Sequence, residues 1–247
     1  MAFWMFIVAI GLGIVGGGLA NWLCDTLPAR QVGFAAVCPN CHSQRPVWGV
    51  LFFRKCSHCG HGVSLRHYLT PVFLAAGSLV LLAFPPRLTL WLAWPVMVYF
   101  ACVIIMDIEH HVILHPVSLT GAVLGAVCGV LLNGAWRTAA GGAAGFAIML
   151  VLYLGGLWFG KMMAKRRGEA VDEEALGFGD VNLAGVIGLF LGWPLIIGGL
   201  LTAVLAGGVV SGLALIWMLV WKKYQPFMAL PYAPFIAGTG ILLLYLS

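Results

Sequence analysis

Eight long apolar runs divide the chain, near residues 3–23, 69–85, 88–106, 116–134, 138–160, 180–196, 197–221 and 230–246. About 20 apolar residues in a helix cross the hydrocarbon core of a bilayer, and shorter runs serve where neighbours bury them. The runs show no strict alternation of apolar and polar positions, so they predict helices rather than strands. Pro85, Pro86, Pro194 and Pro231 mark turns or helix starts between them. Runs six and seven are separated only by Gly192-Trp193-Pro194. The expected fold class is an all-α polytopic membrane protein of about eight transmembrane helices. Its main polar interruption, between the first two runs, holds four cysteines and forms a small cytoplasmic loop.

Composition agrees with this pattern. The chain is 62% hydrophobic and only 9% charged, with a mean hydropathy of +1.02, which excludes an ordinary soluble domain. Its first residues, MAFWMFIVAIGLGIVGGGLANWL, contain no Lys or Arg and lack the basic start of a cleaved signal. Cys24 follows Asn-Trp-Leu rather than the small residues of a lipoprotein site. A retained first helix over 1–23 is therefore expected, then a cysteine loop over 24–68 and a membrane-embedded domain over 69–247.

The formal net charge is +5, and its placement matters more than its size. Of the thirteen Lys and Arg, all but Arg87 and Arg137 fall in loops on one side of an eight-helix topology. The positive-inside rule makes that side cytoplasmic and places both termini outside. All eight acidic residues and all seven histidines fall on the same side. Membrane lipid is the expected surrounding, and no nucleic-acid partner is implied.

An ionisable residue at a membrane boundary is a functional suspect. Asp107 closes VMVYFACVIIMD, and Asp180 opens the sixth run within GFGDVNL. Two carboxylates on different helices at matched depth could face each other and share a proton. One would then take a proton from water while the other polarises a carbonyl, as in an aspartic protease. Gly177 and Gly179 would permit unusual backbone angles and the approach of an extended peptide. The plainer reading makes Asp180 a helix N-cap. It makes Glu109, His110 and His111 a solvated loop, although a histidine-acid cluster could also bind a metal.

Cys38, Cys41, Cys56 and Cys59 read C-x2-C, fourteen residues, C-x2-C. Four thiolates at that spacing suit a closed, structural zinc site. A cytoplasmic loop argues against disulfides. His42, His58 and His61 could compete as ligands. Cys24, Cys102 and Cys128 lie in or beside apolar runs and are expected as buried small residues.

Together these segments resemble the type IV prepilin peptidases, membrane aspartyl proteases with a GxGD motif. GGGLANWLCDTLP is similar to the family's G-S-F-L-N-V-x-x-x-R-L-P stretch, with Asn21 and Pro28 in place. The paired C-x2-C motifs resemble its zinc loop. SLRHYLTP resembles S-x-R-Y-P-L-V-E, with Ser64, Arg66 and Leu69 retained. DIEHHVILHPVSL, GFGDVNL and PYAPFIAG resemble D-L-D-H-x-x-L-P-D-x-L-T-L, G-x-G-D-x-K-L and P-F-G-P-F-L-A. The resemblance carries the two catalytic aspartates onto Asp107 and Asp180.

The resemblance implies an aspartic endopeptidase of the bacterial inner membrane. It would cut the basic leader from a prepilin or pseudopilin at a Gly-hydrophobic junction on the cytoplasmic face. The acidic run Glu169, Asp172, Glu173 and Glu174 could meet that leader, although a solvated loop face explains it as well. Many members also N-methylate the new terminus with S-adenosylmethionine. The chain departs from the family at Pro71 (usually Glu), Leu114 (usually Pro) and Asn182 (usually Lys), and in the shorter spacing of its cysteine pairs. The short cysteine loop leaves methylation open. The alternative function is a proton-coupled transporter using paired intramembrane acids as a relay.

Overall fold

A computed structural model describes residues 3–28, 36–38, 40, 41, 43–46, 49, 54–85, 87–167, 177–221 and 232–246. Among these residues there are eight α-helices and one short ribbon. They are α1 (Phe3–Thr26), β1 (Ala36–Val37), β2 (Gln44–Arg45), α2 (Leu65–Ala83), α3 (Leu90–His110), α4 (His115–Asn133), α5 (Ala135–Arg167), α6 (Phe178–Leu191), α7 (Leu195–Val220) and α8 (Ala233–Leu246). Six of the helices, α1 to α5 and α7, are long and apolar enough to cross a membrane. The other two, α6 and α8, have 14 residues each. The protein is an all-α, multi-pass membrane protein.

Each apolar run has its helix, with some ends displaced. Instead of ending near 106, α3 continues to His110, so Asp107 lies within its last turn. Glu109 and His110, expected in a loop, are helical and exposed, because a solvent-facing last turn needs no apolar side chains. The break between runs six and seven falls at Gly192, whose φ of 71° ends α6 before Trp193 and Pro194. Arg30, His42, Pro86, Lys222, Lys223, Pro231 and the acidic run Glu169, Asp172, Glu173 and Glu174 lie outside the described residues.

The chain forms two compact units, Met1–Met106 and Asp107–Ser247. In the first, α1 lies against α2 through glycine. A Cβ on Gly17 would fall 2.6 Å from Pro71 N, and one on Gly13 would fall 2.7 Å from the Leu74 carbonyl carbon. Such contacts let backbones approach where lipid supplies no hydrophobic drive. On α3, Trp94 Nε1 donates to Leu12 O at 3.1 Å. Cys24, Cys102 and, in the second unit, Cys128 are buried as expected of small apolar residues.

Pro71 creates a local problem inside α2. It has no N–H, so the carbonyl of His67, four residues earlier, loses its helical donor. Asn21 of α1, which is buried, donates its side-chain Nδ2–H to that carbonyl at 3.2 Å. The same end of the helix pair holds an ionic cluster. Asp25 accepts from Arg66 and, at 3.0 Å, from His67 Nε2, while the Ser64 hydroxyl meets His67 Nδ1 at 2.9 Å.

In the second unit α6 is the hub, in contact with α4, α5, α7 and α8. Ten of its fourteen residues are buried, so it shows no polar stripe. Small residues let its neighbours close on it. A Cβ on Gly188 would lie 2.7 Å from the Gly141 carbonyl carbon of α5, and one on Gly125 of α4 would lie 3.1 Å from Val186 O. Asn133 Nδ2 donates to Phe190 O at 3.0 Å and so occupies a carbonyl at the end of α6.

Replacing Asn21 with Ala is expected to cost about 1–2 kcal/mol of stability, because a buried carbonyl loses its donor. In a Pro71→Ala background, where residue 71 regains its N–H, the same change should cost about 1 kcal/mol less. Unfolding of the four proteins in one detergent measures the coupling, and additive effects would remove this role from Asn21.

Candidate active site and candidate metal centre

Asp107 and Asp180 both belong to the second unit, and both are buried, at 6% and 8% exposure. Asp107 sits at the C-terminal end of α3, where the carbonyl end of the helix dipole disfavours an anion. The start of α8 compensates. The Tyr232 carbonyl accepts the first bonds of that helix, from Phe235 and Ile236 at 3.1 and 3.4 Å. Pro234 has no N–H. The Ala233 N–H, which has no partner within its own helix, donates to Asp107 Oδ2 at 3.0 Å.

Asp180 is the third residue of α6. Gly177 holds the N-cap position, so Asp180 is not the cap that the plain reading supposes. It lies within Coulombic range of Asp107, and Tyr232 lies within range of Asp180. His111 is the cation-forming group within range of Asp107. The structure thus brings both sequence-chosen acids into one buried neighbourhood with the beginning of α8.

The two glycines have different surroundings. Gly177 has φ −78° and ψ 144°, angles open to any residue, so its value is space rather than conformation. A Cβ there would stand 3.7 Å from Asp180 Oδ2, and Gly177 is exposed. At Gly179 a Cβ would meet the Ile113 side chain at 3.0 Å. The close approach at Gly179 is therefore to this chain's own loop after α3.

In the first unit Cys38, Cys41, Cys56 and Cys59 converge, with all four Sγ atoms within 4.8 Å of one another. Cys38 and Cys59, and likewise Cys41 and Cys56, are 3.6 Å apart. A tetrahedral zinc with bonds of about 2.3 Å needs sulfurs roughly 3.8 Å apart, so the four thiols fit that ion. Each C-x2-C turn is closed by its own backbone. Cys38 N–H donates to Ser43 O at 3.0 Å, and Gly60, with φ 68°, donates to Cys56 O at 2.9 Å. The Ser43 hydroxyl beside Cys56 draws that thiol down to about 5 and also lowers Cys41, whereas Cys59 is pushed up to about 11. Among the described residues this is the one group able to hold a metal, and neither His58 nor His61 belongs to it.

Comparison with known proteins fits these features. Residues 92–212 match the family model described as "Type IV leader peptidase family". A prepilin leader peptidase/N-methyltransferase of Pectobacterium carotovorum subsp. carotovorum is 30% identical over 220 residues, covering 83% of this chain and 71% of that protein. Another, from Burkholderia pseudomallei strain 1026b, is 31% identical over 240 residues, covering 90% and 71%.

The chain belongs to the type IV leader peptidase family.

The matched segment contains both acids of this leader peptidase. Family membership makes the chain a membrane protease and sets aside the transporter alternative. No solved structure matches it. Sequence reasoning had noted the peptidase's PYAPFIAG segment only as a resemblance and missed the Ala233 N–H. Pro234 near the start of an apolar run was the available sign of a helix beginning there.

The purified peptidase is expected to carry about one zinc per chain, measured by elemental analysis. Cys56→Ser combined with Cys59→Ser should abolish it and expose the loop to protease. Unchanged metal content in that variant would exclude the four-thiolate site.

Proposed function

We propose that this leader peptidase removes the basic leader of a prepilin or pseudopilin at a Gly-hydrophobic junction, using Asp107 and Asp180 as a general acid/base pair. The observation that carries this reading is the burial of both carboxylates within electrostatic range of each other, inside the family-matched segment. The curated relatives bear the name prepilin leader peptidase/N-methyltransferase, and that substrate class is carried over to this chain here. The reaction takes place at the cytoplasmic side of the bacterial inner membrane. Residues 69–247 form the peptidase domain, and residues 24–68 form a loop fastened by zinc through its four cysteines.

The chemistry follows from two acids that share one proton. The ionised carboxylate takes a proton from water as the oxygen attacks the scissile carbonyl carbon. The neutral acid gives its proton to the carbonyl oxygen, forming a diol. Collapse of the diol breaks the C–N bond: the leaving amine takes up a proton from the acid that gained one, and a diol hydroxyl returns its proton to the other carboxylate. No bond to the protein forms. Gly177, exposed beside Asp180, leaves room for the extended substrate backbone.

The relatives' names also raise N-methylation of the new terminus with S-adenosylmethionine. A cleft of about 380 Å³ between α4, α5 and α6 is lined by His115, Ser118, Phe146, Asn182 and Leu189 among others. None of its described lining residues is acidic, so among them it offers no counter-charge to a sulfonium and an ammonium, and it does not fit that cofactor.

The test is cleavage of a prepilin with a Gly-Phe junction by purified full-length protein. Asp107→Asn and Asp180→Asn should each lose roughly 10²–10⁴-fold in rate. The double variant should fall little further, because the pair acts as a unit. Undiminished cleavage by either single variant would end the two-aspartate reading, and a product heavier by one methyl would establish the second activity.

A further inference from the structure

We propose that the first turn of α8 makes the acid pair unequal, with the Ala233 N–H holding the negative charge on Asp107 and leaving the shared proton on Asp180. This rests on the two-aspartate reading and assigns the roles within it. Asp107 is then the base that takes the proton of water, and Asp180 is the acid that meets the scissile carbonyl. Ala233 is a positioning residue, acting through its backbone and not its side chain.

Asp107 lies at the wrong end of its own helix for an anion and needs another source of positive potential. The N-terminus of α8 supplies it, with an N–H donated at 3.0 Å inside a buried site. A bond of this kind to a charged acceptor is about twice as strong as one between neutral groups. Because that N–H can only donate, Oδ2 must present a lone pair, and Oδ1 remains for the water. Ala233 is wholly buried, so water does not compete for the bond. Asp180 lies in the first turn of its own helix, with the Gly177 N–H as a backbone donor, but among the described hydrogen bonds it has none from a second helix. Among the described residues, the titratable groups around the pair are few. His111 stands near Asp107, Tyr232 stands near Asp180, and Glu109 lies on the exposed face of the same turn.

Two measurements test the assignment. In the wild-type protein an epoxide inhibitor is opened by an ionised carboxylate, whereas a diazo inhibitor takes its proton from a neutral acid before esterifying it. Peptide mapping should find the epoxide ester on Asp107 and the diazo ester on Asp180. The reverse map overturns the proposal.

The second measurement replaces Ala233 by its α-hydroxy counterpart, lactate, which turns the N–H into an ester oxygen. Proline is unsuitable, since its ring carbon would stand where the Asp107 carboxylate lies. The change is made in a His111→Asn background to remove the imidazole, with Asn tolerating the positive φ of 50° at that position. Activity falls as pH drops through the titration of the base, and loss of a donor makes the base easier to protonate. The acid limb of kcat/KM should therefore move up by about one pH unit. The same ester at Ala237, inside α8, weakens the helix alike but should leave the limb in place. An unmoved limb in an active lactate-233 protein, or an equal shift at position 237, overturns the assignment. Failure of the two-aspartate reading itself would appear separately, as cleavage by Asp107→Asn or Asp180→Asn.

Discussion

Burying a carboxylate beside lipid is the constraint on which the second unit depends. A charge in a low-dielectric interior persists only where donors and opposing potential replace water. For Asp107 the replacement comes from another helix, through the Ala233 N–H. For Asp180 it comes from the start of its own helix, where the Gly177 N–H and the first turn of α6 face the carboxylate. A helix of 14 residues is about 21 Å long, short of the roughly 30 Å of hydrocarbon, so α6 could not stand alone in a bilayer. Its shortness and its burial belong together. The element that carries the acid can be brief because other helices meet the lipid for it.

Much of this was legible in residue types. Apolar runs located the eight described helices, lone acids at their ends marked two carboxylates that the fold buries together, and C-x2-C spacing marked four thiols that converge. What escaped notice was carried by groups that residue letters do not show. The donor to Asp107 is a backbone N–H, available because it opens a helix, and any residue but proline would provide it. The last turn of α3 was read as loop because Glu109 and His110 are polar, although a surface turn tolerates both. Gly179 was assigned to an incoming peptide, but its hydrogen faces Ile113. The partners of a glycine depend on what folds against it, which a single chain of letters does not reveal.

The first unit answers a similar demand by other means. Pro71 removes a donor from a buried helix, and Asn21 returns one from the neighbouring helix. The ion pair of Asp25 with Arg66, together with His67, fastens the same ends. The cysteine loop has only a two-residue ribbon of its own, Ala36–Val37 with Gln44–Arg45, which is far too little to hold a fold. Thiolates gathered around one ion would supply what a hydrophobic core supplies elsewhere.

The glycine contacts of α5 and α6 also bear on which helices of the second unit can move. Where backbone meets backbone, as at Gly141 and Gly188, a helix cannot slide or turn without collision, and the α6 wall is fixed. The helix α7 differs, since only 11% of its apolar window is covered by protein, the lowest share of the six spans. Few buried contacts mean a low local cost of displacement. Within the second unit, α6 is therefore held like a jamb, while α7 is the helix that yields at the least cost.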